Sequence, residues 1–254
     1  MTPEDYQRIL KFSPEGCFIA EKNGKDVGIV VTTDYGEIAW IGNLVVLPSH
    51  RGEGIGTELM RQAINYLKST GTQSIRLDGV PQAIPLYRRL GFKDEYWSTR
   101  HTGVAQRRSE TRCKPMKLDD LDEVAGLDLA AFKAPRRGLL EYVHQKYPEL
   151  CYVIRDKAEL QGYIMAKRTL GQVKIGPWIA LNHEVAEQLL QAVMNKVEGS
   201  NIWVGTPEKN KNALKILEEN NFQAHTSSLR MCHGDCSVVE RVEKIYGLGG
   251  PDKG

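Results

Sequence analysis

The most unusual stretch of the chain lies between a β-rich run and an amphipathic one: Pro48-Ser49-His50-Arg51-Gly52-Glu53-Gly54-Ile55-Gly56-Thr57. Three glycines leave backbone N–H groups unobstructed where a helix N-terminus presents its free donors and the positive end of its dipole. Arg51 adds a formal positive charge, so the loop reads as a phosphate cradle. Its G-x-G-x-G spacing is not the G-x-G-x-x-G dinucleotide fingerprint, and the P-loop Lys-Ser/Thr pair is absent. A Gly-rich turn that only lets strand and helix pack closely is the alternative. Cysteine chemistry is the other candidate. Cys17, Cys113, Cys151, Cys232 and Cys236 are odd in number and widely spaced, and Met1 to Leu10 has no secretory pattern. Free thiols in a reducing cytoplasm are the expectation. Cys232-His233-Gly234-Asp235-Cys236 lacks a second ligand pair for a tetrahedral site, so no metal is expected.

The elements around the loop follow from periodicity. Ile55, Leu59, Met60, Ala63, Ile64 and Leu67 repeat at helical spacing and predict a helix from Ile55 to Thr70, ended by Gly71. A strand from Glu37 to Leu47 leads into the loop. A hairpin precedes it, Gly16 to Ala20 and Val27 to Val30, and a strand from Ser74 to Asp78 follows, then a helix to Leu90. The same order recurs downstream: Leu150 to Ile154 and Gln161 to Ile164 form a second hairpin, with helices at about Glu184 to Val197 and Lys209 to Asn220. Gly28 corresponds to Gly162, an offset of 134, whereas Phe92 corresponds to Phe222, an offset of 130. The second copy has therefore lost residues between Gly28 and Leu59, the interval that holds the loop. The class is α/β, an α+β mixed sheet with helices packed on it.

Composition limits the partners. The 254 residues carry 34 Lys+Arg against 32 Asp+Glu, a net charge of +2, which is no footprint for nucleic acid or an acidic membrane. No apolar run approaches the ~18 residues of a membrane helix. The basic segment Arg100 to Lys117 reads as a solvated linker.

Val46-x-Pro48-x-x-Arg51-Gly52-x-Gly54-Ile55-Gly56, followed by Ala83-Ile84-Pro85-Leu86-Tyr87-Arg88-Arg89-Leu90-Gly91-Phe92, resembles the acyl-CoA signature of the GNAT acetyltransferase superfamily and its later companion. The second copy resembles the same fold without the loop, since Trp178 to Glu184 holds neither glycine nor arginine. The resemblance implies two tandem GNAT-like domains: an N-terminal one at 1–100 with the acyl-CoA loop, a linker at 101–111, a degenerate C-terminal one at 112–236, and a tail at 237–254. It implies acetyl-CoA as cosubstrate, with Leu44, Val45 and Val46 beside pantetheine. The N–H groups of Arg51, Gly52, Glu53, Gly54, Ile55, Gly56 and Thr57 would surround the pyrophosphate. It implies Tyr87 as the acid that serves the departing thiolate; a phenol of pKa about 10 can hydrogen-bond or protonate a thiolate whose acid has pKa about 8.5. Packing against the cofactor is the alternative for Tyr87. Arg88 and Arg89 either approach CoA phosphates or are solvated. The strand positions where relatives carry a base are Gly42 and Asn43, so Glu37, with Asp34 beside it, is the candidate base. In the second copy Ala131 to Arg137 resembles a family turn from which Lys133 and Pro135 depart, with Arg136 expected at a solvated helix end, or facing an acidic substrate group as the alternative.

The second copy has a strand and helices before its hairpin, from Arg112 to Glu149. The first has one helix, opened by Thr2-Pro3-Glu4-Asp5, and so lacks its initial strand and helix. That omission is expected to expose a sheet edge, covered by the tail at Val238 to Tyr246 or by a second subunit in a homodimer. The resulting expectation is a cytoplasmic N-acetyltransferase acting on a small-molecule or peptide amine. A non-catalytic acyl-CoA-binding or sensing protein is the alternative.

Overall fold

The computed structural model describes residues 3–252 and 254. In chain order its elements are α1 (Pro3–Phe12), β1 (Cys17–Lys22), β2 (Lys25–Asp34), β3 (Ile38–Val46), α2 (Ile55–Ser69), β4 (Ser74–Gly79), α3 (Ile84–Arg89) and β5 (Lys93–Val104). The second copy runs β6 (Lys114–Pro115), α4 (Leu121–Phe132), α5 (Arg137–Lys146), β7 (Cys151–Asp156), β8 (Glu159–Thr169), β9 (Gln172–Ala180), α6 (His183–Lys196), β10 (Asn201–Pro207), α7 (Lys211–Glu219) and β11 (Gln223–Gly234). A last short strand, β12 (Ile245–Gly247), ends the series. The expected cap Thr2 lies outside the described residues.

The chain divides into two compact units. One holds Met1–Glu95, Ser228–Val238 and Pro251–Gly254; the other holds Tyr96–Ser227 and Val239–Gly250. The units therefore do not follow a simple cut near residue 100. Each copy's last strand serves the other copy's unit. β11, from the second copy, pairs antiparallel with β4 from Leu229↔Gly79 to Gly234↔Ser74. β5, from the first copy, pairs antiparallel with β10 from Ser98↔Pro207 to Val104↔Asn201. Part of the segment expected as linker is thus strand. Beyond it, Arg108, Ser109 and Arg112 bond to Asn195, Gln191, Gln188 and Glu184, on and around α6.

In the first unit the strand order is β1-β2-β3-β4-β11. The apolar stripe of α2, Leu59, Met60, Ala63, Ile64 and Leu67, packs with Val30, Ala39, Ile41, Ile75, Leu77, Leu229 and Met231 of the strands. Strand residues alternate between faces, so Trp40, Arg76, Asp78 and Arg230 project to the opposite face. There Arg230 holds Asp78 with two bonds of 3.0 and 2.8 Å, and Arg76 meets Glu95 at 3.2 Å. The Arg230 and Arg76 guanidinium groups lie over the Trp40 ring, at 5.5 and 5.8 Å respectively.

The second unit is ordered β5-β10-β9-β8-β7-β6. It has β6, α4 and α5 ahead of its hairpin, whereas among the described residues the first unit has α1 there. β1 is the outermost strand of its sheet among the described residues, with Ile19 60% exposed, and β12, in the tail, pairs with β9 of its own unit. Two further expectations are corrected. Arg136 is buried, not solvated: it grips Asp128 with bonds of 3.0 and 2.7 Å and stacks on Phe132. Asp128 also accepts from the Tyr163 hydroxyl, so a buried charge pair with a third partner replaces the expected surface arginine. Cys232 and Cys236 form a disulfide, because Gly234 at φ 87° turns the chain and leaves their Cα atoms 6.0 Å apart. Cys17, Cys113 and Cys151 are free.

Candidate active site

β3 is the element that builds the site. It runs parallel with β4 only through Ile38↔Ser74, Ala39↔Ile75 and Trp40↔Arg76. Beyond Trp40 the two strands part, and the β4-facing edge of β3 from Ile41 to Val46 has no strand partner among the described residues. A bulge assists: β3 pairs with β2 at Val31↔Gly42 and again at Ile29↔Val45, leaving Asn43 and Leu44 opposite Val30 alone. Asn43 sits at φ 52°, a conformation Asn tolerates better than most residues. Its side-chain amide nitrogen is buried with no hydrogen-bond partner among the described residues.

The bulged stretch leads directly into the loop. Gly52 and Gly54 take φ of 85° and 86°, and a Cβ at either would meet nothing within 4 Å, so the space in front of them is open. Gly54 is the N-cap of α2, and among the described residues no side chain caps that helix. Thr57 and Glu58 donate to the Gly54 carbonyl, which leaves the N–H groups of Ile55 and Gly56 at the helix mouth without intrahelical acceptors. A phosphate fits that donor set. Arg51 donates through Nε to the Val46 carbonyl at 3.2 Å, so its guanidinium is tied to the end of β3. The Glu53 carboxylate turns to Lys22 at 2.7 Å, which holds its pKa below the ordinary carboxylate value.

The residues expected beside pantetheine are brought together. A Cβ on Gly56 would meet Val46, Leu86 and Leu44 at 3.7 to 4.0 Å, so all three side chains converge on the first turn of α2, while Val45 is exposed. Tyr87 packs into the same apolar cluster, its ring edge-on to Phe92, and burial pushes its pKa up to about 12. Arg88 instead pairs with Asp94 on the surface. Glu37 is not brought to this place. It is exposed in the turn before β3, and its carbonyl accepts from Gln73 and Ser74. Seven residues of strand, about 23 Å, separate it from Leu44.

The matching position in the second unit is built differently. β9 and β10 pair in parallel from Gln172↔Asn201 to Ile175↔Val204 and then part. There the gap is filled by β12, which pairs with β9 at Ile245↔Ile179 and Gly247↔Trp178. Across the gap, Thr206 donates to the Tyr246 carbonyl at 3.0 Å and Leu248 N–H to the Gly205 carbonyl at 2.8 Å. By the offset of 134, Trp178 and Ile179 are the counterparts of Leu44 and Val45. The helix that follows, α6, is closed as well, since the Asn182 side chain accepts from Val185 N–H. Neither the tail strand nor the cap was foreseen; Asn182 before an apolar run was the available signal for the cap.

Two family descriptions match the chain, an acetyltransferase (GNAT) family over residues 2–92 and an acetyltransferase (GNAT) domain over residues 124–247. This chain belongs to the GNAT acetyltransferases, as a tandem member. It is 24% identical over 234 residues to the holothin acyltransferase of a Pseudoalteromonas strain, covering 91% of this chain and 79% of that one. A Pyrococcus horikoshii protein described as an acetyltransferase superposes with a TM-score of 0.84 at 27% identity, covering 98% of this chain and 84% of the other. A tandem GNAT protein from the clavulanic acid biosynthesis pathway shares the fold, with a TM-score of 0.62 at 15% identity over 91% of this chain and 87% of its own. Among the described residues of this GNAT protein, no helix is long and apolar enough to cross a membrane.

Proposed function

We propose that the protein is an N-acetyltransferase that moves an acetyl group from acetyl-CoA to a small-molecule or peptide amine, with donor binding and transfer in the first unit. The observation that carries this reading is the unpaired stretch of β3 after Trp40 leading into an uncapped helix. Leu44 to Val46 would pair with pantetheine through main-chain groups, and the N–H groups from Arg51 to Thr57 would receive the pyrophosphate. The amine lone pair forms a bond to the acyl carbon, and the carbon–sulfur bond breaks with its electron pair leaving on sulfur. A main-chain N–H near Val46 faces the charge that builds on the acyl oxygen. Tyr87, with a pKa near 12, stays neutral at working pH. Full proton transfer from it to a thiolate whose acid has pKa about 8.5 is uphill, so its role is to donate a hydrogen bond to the departing sulfur, which takes its proton from solvent.

Calorimetry with acetyl-CoA and thiol release with a panel of amines test the reading. The expected result is one acetyl-CoA per chain and release that depends on a particular amine. Binding with no release on any amine would favour the acyl-CoA-sensing alternative, which the lack of an ionisable side chain from Ile41 to Val46 supports. A homodimer formed along β1 is the proposed cover for that edge, and a chain that sediments as a monomer would remove it. A cytoplasmic location fits the three free thiols, whereas the Cys232–Cys236 disulfide argues the other way.

A further inference from the structure

The tail docks on both units at equivalent glycines. In the second unit Gly176 takes φ 134°, and a Cβ there would fall 2.0 Å from the Leu248 carbonyl oxygen. Its counterpart 134 residues earlier is Gly42, and a Cβ there would fall 2.6 Å from Cα and 2.7 Å from Cβ of Asp252. Gly42 has no unusual φ, so its lack of a side chain serves the seating of Asp252 and not a turn. The tail is held there by Thr33, whose hydroxyl donates to the Asp252 carbonyl at 2.8 Å. Thr33 and Asp252 are 4% and 5% exposed, so this is a built seat and not a loose end.

The seat lies on the candidate site. Gly42 belongs to the stretch of β3 that has lost β4, beside Asn43 with its unpartnered amide nitrogen. Ile41 to Val46 contribute no proton acceptor, and Glu37 is at the far end of the strand. Gly42 is two residues, about 7 Å, from Leu44, where the thioester is expected. A base about 3 Å from an amine nitrogen that is itself about 3 Å from the acyl carbon spans a similar length.

We propose that Asp252 is the general base for acetyl transfer, a carboxylate delivered by the tail to the strand position where β3 has only glycine. The proposal rests on the transferase reading above. As the amine attacks, its N–H proton passes to the Asp252 carboxylate and then to solvent, while the thiolate is protonated from solvent, so one proton is released and one taken up. The test compares the full-length protein with Asp252→Asn and Asp252→Glu, measuring acetyl-CoA affinity and thiol release with the preferred amine. Thr33 can hold the main-chain carbonyl in Asn as in Asp, and an unchanged melting temperature of Asp252→Asn checks that the seat survives. The expected result is a kcat lowered on the order of 100-fold or more by Asn, partly restored by Glu, with acetyl-CoA affinity unchanged. Full activity in Asp252→Asn would overturn the assignment while leaving the transferase reading intact. A variant ending at Gly250 that works faster than the full chain would overturn it in favour of a tail that obstructs the acceptor. No release by the unaltered protein on any amine would overturn the transferase reading and this proposal with it.

Discussion

The two units present the same parted strands and treat them in opposite ways. In the first, no strand among the described residues fills the gap beyond Trp40, glycines line its loop, and no side chain among them caps the following helix. In the second, β12 fills the gap, Asn182 caps the helix, and the loop has been lost. Binding a ligand through backbone groups requires those groups to be left without protein partners, and an unpaired buried N–H or C=O costs free energy whenever the ligand is away. The second unit avoids that cost by satisfying the same positions with its own chain. The comparison explains how one sequence can hold two copies of a fold and offer one of them as the candidate site.

Five substitutions would break or sharpen this contrast. Tyr246→Ala, which removes a buried ring packed on Trp178, should lower stability by about 3–5 kcal/mol in chemical denaturation. Calorimetry on the variant should still find one acetyl-CoA per chain; two would mean that the second gap is merely covered. Gly54→Arg should reduce acetyl-CoA affinity at least about 100-fold, or ~3 kcal/mol, with an unchanged circular dichroism spectrum. His183→Arg, at the start of α6, should leave affinity alone.

A smaller effect is expected at Tyr87. Tyr87→Phe should lower kcat about tenfold with acetyl-CoA affinity unchanged. The raised pKa fixes a sign: between pH 10 and about 12 the unfolded phenol loses its proton while the folded one keeps it, so stability falls as pH rises through that window. Tyr66, Tyr152, Tyr163, Tyr246, Cys113 and Cys151 are also raised, so the check is a melting temperature that falls less steeply across that window after Tyr87→Phe than before it. The smallest effect belongs to Asn182→Ala, about 1 kcal/mol from the lost cap, with no change in acetyl-CoA binding.

Much of the first unit was legible in the sequence because its signals are local. The stripe from Ile55 to Leu67 and the glycines at 52, 54 and 56 mark the helix and its mouth without reference to anything distant. The offset of 134 from Gly28 to Gly162, falling to 130 from Phe92 to Phe222, marks the repeat and the loop that one copy has lost. What escaped depends on partners far along the chain. Ile245-Tyr246-Gly247 is too short to show a period, and its strand character comes from β9. The alternation in β5 and β11 is the same whichever neighbour they choose, so no local pattern reveals that they trade places. Arg136 reads as a surface residue until Asp128 is brought beside it. Glu37 is adjacent to β3 in sequence, but a strand carries it to the wrong end of the site.

The traded strands also decide when the protein can exist during its own synthesis. The first unit needs β11 beside β4, and Ser228–Val238 are made long after residue 95. Until then β4 has an open edge, in a protein whose pairings are largely distant in sequence. The N-terminal unit therefore waits on the ribosome for the C-terminal one, the reverse of the usual order in which domains complete themselves one by one. A gene cut between the copies yields two halves that each lack a strand, and expressing them together is the way to recover either.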